Sequence, residues 1–96
     1  MELTIFARFR VKAGCEDAML AALADVAIPT RAEAGCLFQQ GYRSIRDPCL
    51  FYVNSRWTDE DAFELDAALA HTARFLARVQ ELADQPIEVT RARPTL

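Results

Sequence analysis

The sequence predicts an α+β domain with elements in the order β-α-β-β-α-β, and three observations carry that reading. Apolar residues alternate at period two over residues 2–12 and again over 87–93. They recur at spacings of three and four over residues 15–33 and 58–82. Between the two helical stretches lie two β-rich runs, 36–46 and 49–57, separated by Asp47-Pro48.

In the first run Leu3, Ile5, Ala7, Phe9 and Val11 face one way, and Glu2, Thr4, Phe6, Arg8, Arg10 and Lys12 the other. That is a half-buried strand, ended by Ala13-Gly14. The helix that follows carries Met19, Ala22, Leu23, Val26 and Ala27 on one face, and Glu16-Asp17 suit its positive N-terminal end. Pro29 either kinks this helix or starts a further turn through Ala34, and Gly35 stands where a C′ glycine closes a helix. The connection at Asp47-Pro48 is too short for anything but an antiparallel hairpin, with Ser44 to Pro48 as its tip. Thr58 is the expected N-cap of the second helix, with Asp61 three residues on as a near capping box. The pattern Phe63, Leu65, Leu69, Thr72, Phe75, Leu76, Val79, Leu82 extends it, with room for a break between Asp66 and Ala70. Gln85-Pro86 stops it, and Pro94 ends the last strand. Right-handed crossovers then give the ferredoxin-like fold, a four-stranded antiparallel sheet with its helices on one face.

The chain has 96 residues, which is room for one domain spanning 1–96. Fourteen acids against eleven bases, a net −3, argue against a nucleic-acid partner. Arginine with one lysine, and many alanines, point to a GC-rich bacterial gene. The N-terminus has no signal-peptide pattern, and no run is long and apolar enough for a membrane span. Cys15, Cys36 and Cys49 are odd in number and not spaced for metal, so they read as free thiols in a reducing cytoplasm. One feature stands outside this frame. The sheet face turned from the helices should be polar, yet Phe6 lies on it and both parities of the hairpin carry large apolar groups. Phe38, Tyr42, Phe51, Val53 and Trp57 share one parity, and Leu37, Ile45, Leu50 and Tyr52 the other. Either these are scattered exposed residues or a second sheet packs there.

The first strand and its exit, Ile5-Phe6-Ala7-Arg8-Phe9-Arg10-Val11-Lys12-Ala13-Gly14, with Thr30-Arg31-Ala32-Glu33-Ala34-Gly35-Cys36, Asp47-Pro48, Phe51, Arg56-Trp57 and His71, resemble the antibiotic biosynthesis monooxygenase family along nearly the whole chain. The resemblance implies a dimeric α/β barrel, a homodimer with its sheets packed face to face. It implies a pocket between sheet and helices in each copy. It also implies oxidation of a quinol or aromatic polyketide by O₂ with no metal or flavin, the substrate anion supplying the electrons. The family's glutamate two residues before the Trp is Ser55 here. Its first helical histidine is Asp66, the proline before the second is Ala70, and the aromatic after it is Thr72. Ile5, Phe6 and Ala7 stand where heme-degrading relatives carry asparagine, which argues against heme degradation.

His71, the only histidine, is the candidate proton acceptor, since an imidazole titrates near neutrality. The plainer alternative is a helix-start residue bonded to backbone. Trp57 is the second catalytic candidate, as a pocket wall with one N–H to donate, or else a packing residue. Tyr42, Tyr52 and Asn54 are candidate ligands for substrate oxygens, Arg43 and Arg56 for its anion, and Phe38, Phe63 and Phe75 for its ring. Each has a packing or surface role as its alternative. Asp66 and His71 are five residues apart and diverge on a continuous helix, but a break between them would let Asp66 orient the imidazole. A dimer that binds a small ligand without turnover, and a non-oxidative isomerase, are the competing functional readings.

Overall fold

The computed structural model describes residues 1–96. Its elements are β1 (Leu3–Arg10), α1 (Glu16–Arg31), β2 (Cys36–Arg43), β3 (Leu50–Trp57), α2 (Glu60–Ala67), α3 (Ala70–Leu82) and β4 (Glu88–Ala92). The strands form one antiparallel sheet in the order β2-β3-β1-β4, the ferredoxin-like topology expected.

Period-two alternation sorts the sheet into two faces. Leu3, Ile5, Ala7 and Phe9 of β1 and Phe51, Ser55 and Trp57 of β3 are buried under the helices. Val11 continues the buried row past the strand end through a single bridge to Ala83. From α1, Met19, Ala22, Val26 and Thr30 come down on this face, at helical spacing. From α3, Val79 joins them and Phe75 sets its ring edge-on to Phe9 at 5.7 Å.

The hairpin resolves the parity question. A bulge between Cys36 and Phe38 shifts β2 by one residue against β3, so that Phe38 pairs with Arg56, Gly41 with Val53 and Tyr42 with Tyr52. A one-residue shift exchanges the faces. Phe38 and Tyr42 therefore share the open face with Tyr52, while Phe51, Val53 and Trp57 face the helices. The sequence alternation grouped Phe38 and Tyr42 with the latter set, because it contains no sign of the bulge.

Helix boundaries depart from the sequence reading at three places. Pro29 sits inside the last turn of α1 and neither stops nor restarts it. Only one amide hydrogen bond is lost there, near a helix end where the cost is smallest. Asp59, not Thr58, is the N-cap of α2, its carboxylate accepting from the Ala62 amide at 2.8 Å. The break after Asp66 is real: Leu69 is extended, and α3 starts at Ala70. No proline or glycine marks it.

Gly35 is not a left-handed C′ glycine, since Gly14 is the residue with positive φ. Its importance is steric. A Cβ built on Gly35 would lie 2.5 Å from the Ala62 Cβ of α2. The Thr58 amide donates to the Gly35 carbonyl at 3.0 Å, which holds the start of α2 against this spot. A Gly35→Ala variant is expected to lose about 1–3 kcal/mol of stability, because packed backbone must move apart. Urea denaturation measures this, and an unchanged midpoint would remove Gly35 as a packing determinant.

Candidate functional site

Between the sheet and the helices lies an apolar cavity of about 130 Å³. Its floor is Ile5, Ala7, Phe9, Val53 and Trp57, and its walls include Phe63, Phe75 and Leu76. Trp57 is buried against Phe63 with ring centroids 5.8 Å apart. Arg91 of β4 stacks on the other ring partner, Phe63, at 5.2 Å and pairs with Glu60 and Glu64, so β4 is tied to α2 beside the cavity.

Against this apolar lining stand five polar residues: Thr30, Gln39, Ser55, Asp66 and Thr72. Ser55 Oγ accepts the Trp57 indole N–H at 3.0 Å. The indole donor that the sequence reading left free for a ligand is therefore already used. Asp66 is buried at the end of α2 and its Oδ1 accepts the Thr72 hydroxyl at 3.1 Å. The α2–α3 break turns the chain so that residues six apart meet.

Behind Asp66 the same break delivers His71. Its Nε2 lies 3.7 Å from Asp66 Oδ1 and 3.1 Å from Glu33 Oε2. All three side chains are mostly buried, and their donor atoms lie within 4.8 Å of one another. Burial, first, and the neighbouring Asp66 carboxylate, second, push the Glu33 carboxyl up to about 8. At neutral pH Glu33 therefore keeps its proton. The compact donor set has the geometry to hold a cation, but ligation would require stripping the Glu33 proton first. His71 does not line the apolar cavity. It opens into a separate surface depression with Asp25, Pro29, Arg74 and Arg78, so Asp66 is the member of the cluster that reaches the cavity.

The sequence matches the antibiotic biosynthesis monooxygenase family over residues 3–78. The chain belongs to this family. Among solved structures it is similar to Rv0793 from Mycobacterium tuberculosis, at 28% identity and a TM-score of 0.92, covering 98% of this chain and 95% of that one. It is also similar to PA3566 from Pseudomonas aeruginosa, at 27% identity and a TM-score of 0.90, covering 99% and 95%. A structure named as an antibiotic biosynthesis monooxygenase shares the fold at 22% identity, with a TM-score of 0.93 over 98% and 99% of the two chains. No curated protein matches the sequence.

The expected site residues of this family member divide by face. Trp57, Phe63 and Phe75 line the cavity, and His71 reaches it through Asp66. Phe38, Tyr42, Tyr52 and Asn54 lie on the open sheet face and do not contribute to it, Phe38 and Tyr42 because of the bulge in β2. There Arg56 stacks over Phe38 at 5.3 Å, and the Asn54 amide donates to the Ile5 carbonyl. Arg43 is spent on structure, stacked over Phe51 at 5.5 Å and donating to the Pro48 carbonyl. Glu33, Gln39, Thr30 and Thr72 were not singled out. Glu33 sits in the Ala32-Glu33-Ala34-Gly35 motif, where a charged residue beside the turn was the available signal.

The Glu33 proton has a consequence for stability. The folded protein binds it between the ordinary carboxyl value of 4.5 and about 8, whereas the unfolded chain has lost it. Stability therefore falls as pH rises through that window. A Glu33→Gln variant keeps the shape and loses the titration, so its stability relative to wild type is expected to rise from pH 4.5 to 8. Urea midpoints across that range test this, and parallel curves would mean that folded Glu33 is ionised.

Proposed function

We propose that this chain is a monooxygenase that oxidises a small hydroxyaromatic substrate, a quinol, with O₂. The observation that supports it most is a buried carboxylate, Asp66, at the edge of an otherwise apolar cavity, backed by His71 and a protonated Glu33. In that setting Asp66 accepts the proton of a substrate hydroxyl. The apolar walls favour spreading the resulting charge into the ring and keep water from the anion. The electron-rich ring then reacts with O₂. One oxygen atom replaces a ring hydrogen, the other leaves as water, and the substrate supplies all the electrons as it becomes a hydroxyquinone. His71 acts through Asp66, orienting it and taking the proton onward to the depression on its other side. Trp57 and Phe75 hold the ring.

The size of the cavity favours a single ring over a fused polyketide. An apolar cavity of roughly 150 Å³ takes benzene, and this one is about 130 Å³. A larger substrate would have to protrude past Val89 of β4, which borders the cavity and is half exposed.

The same reading includes a homodimer through the open sheet face. Phe6, Tyr42 and Tyr52 stand 53%, 48% and 40% exposed there, on neighbouring strands. A face this apolar is expected to be covered. The three free thiols suit a reducing cytoplasm.

Asp66→Asn keeps the shape and removes the base. It is expected to lower kcat/KM for O₂ uptake with a quinol by about 10²–10⁴, and His71→Ala by less. An oxygen electrode reads this with metal-free protein; no O₂ consumption across a panel of monocyclic quinols would end the oxygenase reading. For the dimer, Phe6→Asp is expected to convert the protein to a folded monomer in sedimentation velocity. A wild-type monomer at micromolar concentration would overturn the assembly.

A further inference from the structure

Gln39 is a buried carboxamide whose oxygen has no partner. It lies on β2 facing the helices, it borders the cavity, and only 7% of it is exposed. Its Oε1 is fully enclosed and receives no hydrogen bond. The Gln39 backbone carbonyl is satisfied by Arg31 at 3.0 Å, which fixes the strand but leaves the side-chain oxygen unpaired. Almost all buried polar groups in folded proteins are paired, and leaving one unpaired costs about 1–3 kcal/mol. An apolar residue would have filled the same place at no such cost.

Across the ladder, Gln39 pairs with Ser55. Ser55 has accepted the Trp57 N–H and keeps its own O–H to donate. The two residues therefore form a polar floor on the sheet, while Asp66 and Thr72 form a polar wall from the helices. The remaining lining between them is apolar, apart from Thr30.

We propose that Gln39 is a substrate-recognition residue, which binds a second oxygen on the ring whose first hydroxyl faces Asp66. This rests on the reading of the cavity as a quinol site and narrows the ligand class to rings with two oxygens. A carboxamide suits the task because it carries both an acceptor and a donor. With the amide turned into the cavity, its Oε1 accepts from the hydroxyl of a quinol or its N–H donates to the carbonyl of the quinone. The residue can hold the same ring position before and after oxidation.

The test compares hydroquinone with 4-methylphenol, in which a methyl group replaces the second hydroxyl, under anaerobic conditions, so that binding is measured without turnover. Trp57 is the only tryptophan and lines the cavity, so its fluorescence reports occupancy. Wild type is expected to favour hydroquinone by about tenfold or more, because a site built around a hydroxyl rejects the analogue lacking it. Gln39→Leu should bring the two affinities together, chiefly by weakening hydroquinone, since 4-methylphenol has no second oxygen to lose a bond. Gln39→Met serves the same purpose should the branched side chain prevent folding. A retained preference in the variants, an equal loss of both ligands, or binding of neither by wild type overturns the assignment. Oxygen uptake is a separate measurement: a Gln39-dependent preference without turnover would uphold the recognition role and reject the oxygenase reading.

Discussion

The site depends on the contact between Gly35 and Ala62. With no Cβ at Gly35, α2 settles directly on the α1–β2 connection. Ala62 and Asp66 are one helical turn apart and share a face of α2. Seating Ala62 on Gly35 therefore aims Asp66 along the same side, toward Glu33, which lies two residues before the glycine. His71 follows from the break at the end of α2. A single steric opening thus gathers three ionisable groups from three segments of chain.

That gathering would be unfavourable if all three groups were charged as isolated side chains. Two buried carboxylates near each other cannot both ionise cheaply. The structure meets this by leaving the proton on Glu33, beside an Asp66 whose Oδ1 accepts the Thr72 hydroxyl. The same low-dielectric setting that disfavours charge on Glu33 strengthens every hydrogen bond made to Asp66. In the proposed reaction, stability and reactivity would draw on this one arrangement, so a change at any of the three residues should disturb both.

The order of elements and the buried rows of β1 and the helices were legible because each rests on a local period. Leu3 to Val11 and Met19 to Thr30 are cases where the pattern and the packing agree. The hairpin faces were not legible, because the bulge between Cys36 and Phe38 changes parity without a glycine or proline to mark it. The helix break was visible only as an interruption, and its consequence, Asp66 beside Thr72 and His71, depends on how α3 packs against α1 and β1 through Phe75. Glu33 and Gln39 were missed for another reason. Their roles come from what surrounds them after folding, and a charged or amide residue in sequence carries no sign of burial.

The bulge also explains how one small sheet can serve two purposes. By shifting β2 against β3, it places Phe38, Tyr42 and Tyr52 together on the open face and sends Gln39 beneath the helices opposite Ser55. Without the shift, Gln39 would lie among solvated strand residues, and Phe38 and Tyr42 would turn toward a cavity of about 130 Å³. Ser55 completes the division. In place of the longer acidic residue usual in the family, it is short enough to cap the Trp57 indole and still leave the cavity open above it. Ser55 leaves the floor without a carboxylate, and Asp66 places one at the wall, so the cavity is lined by a single acidic residue.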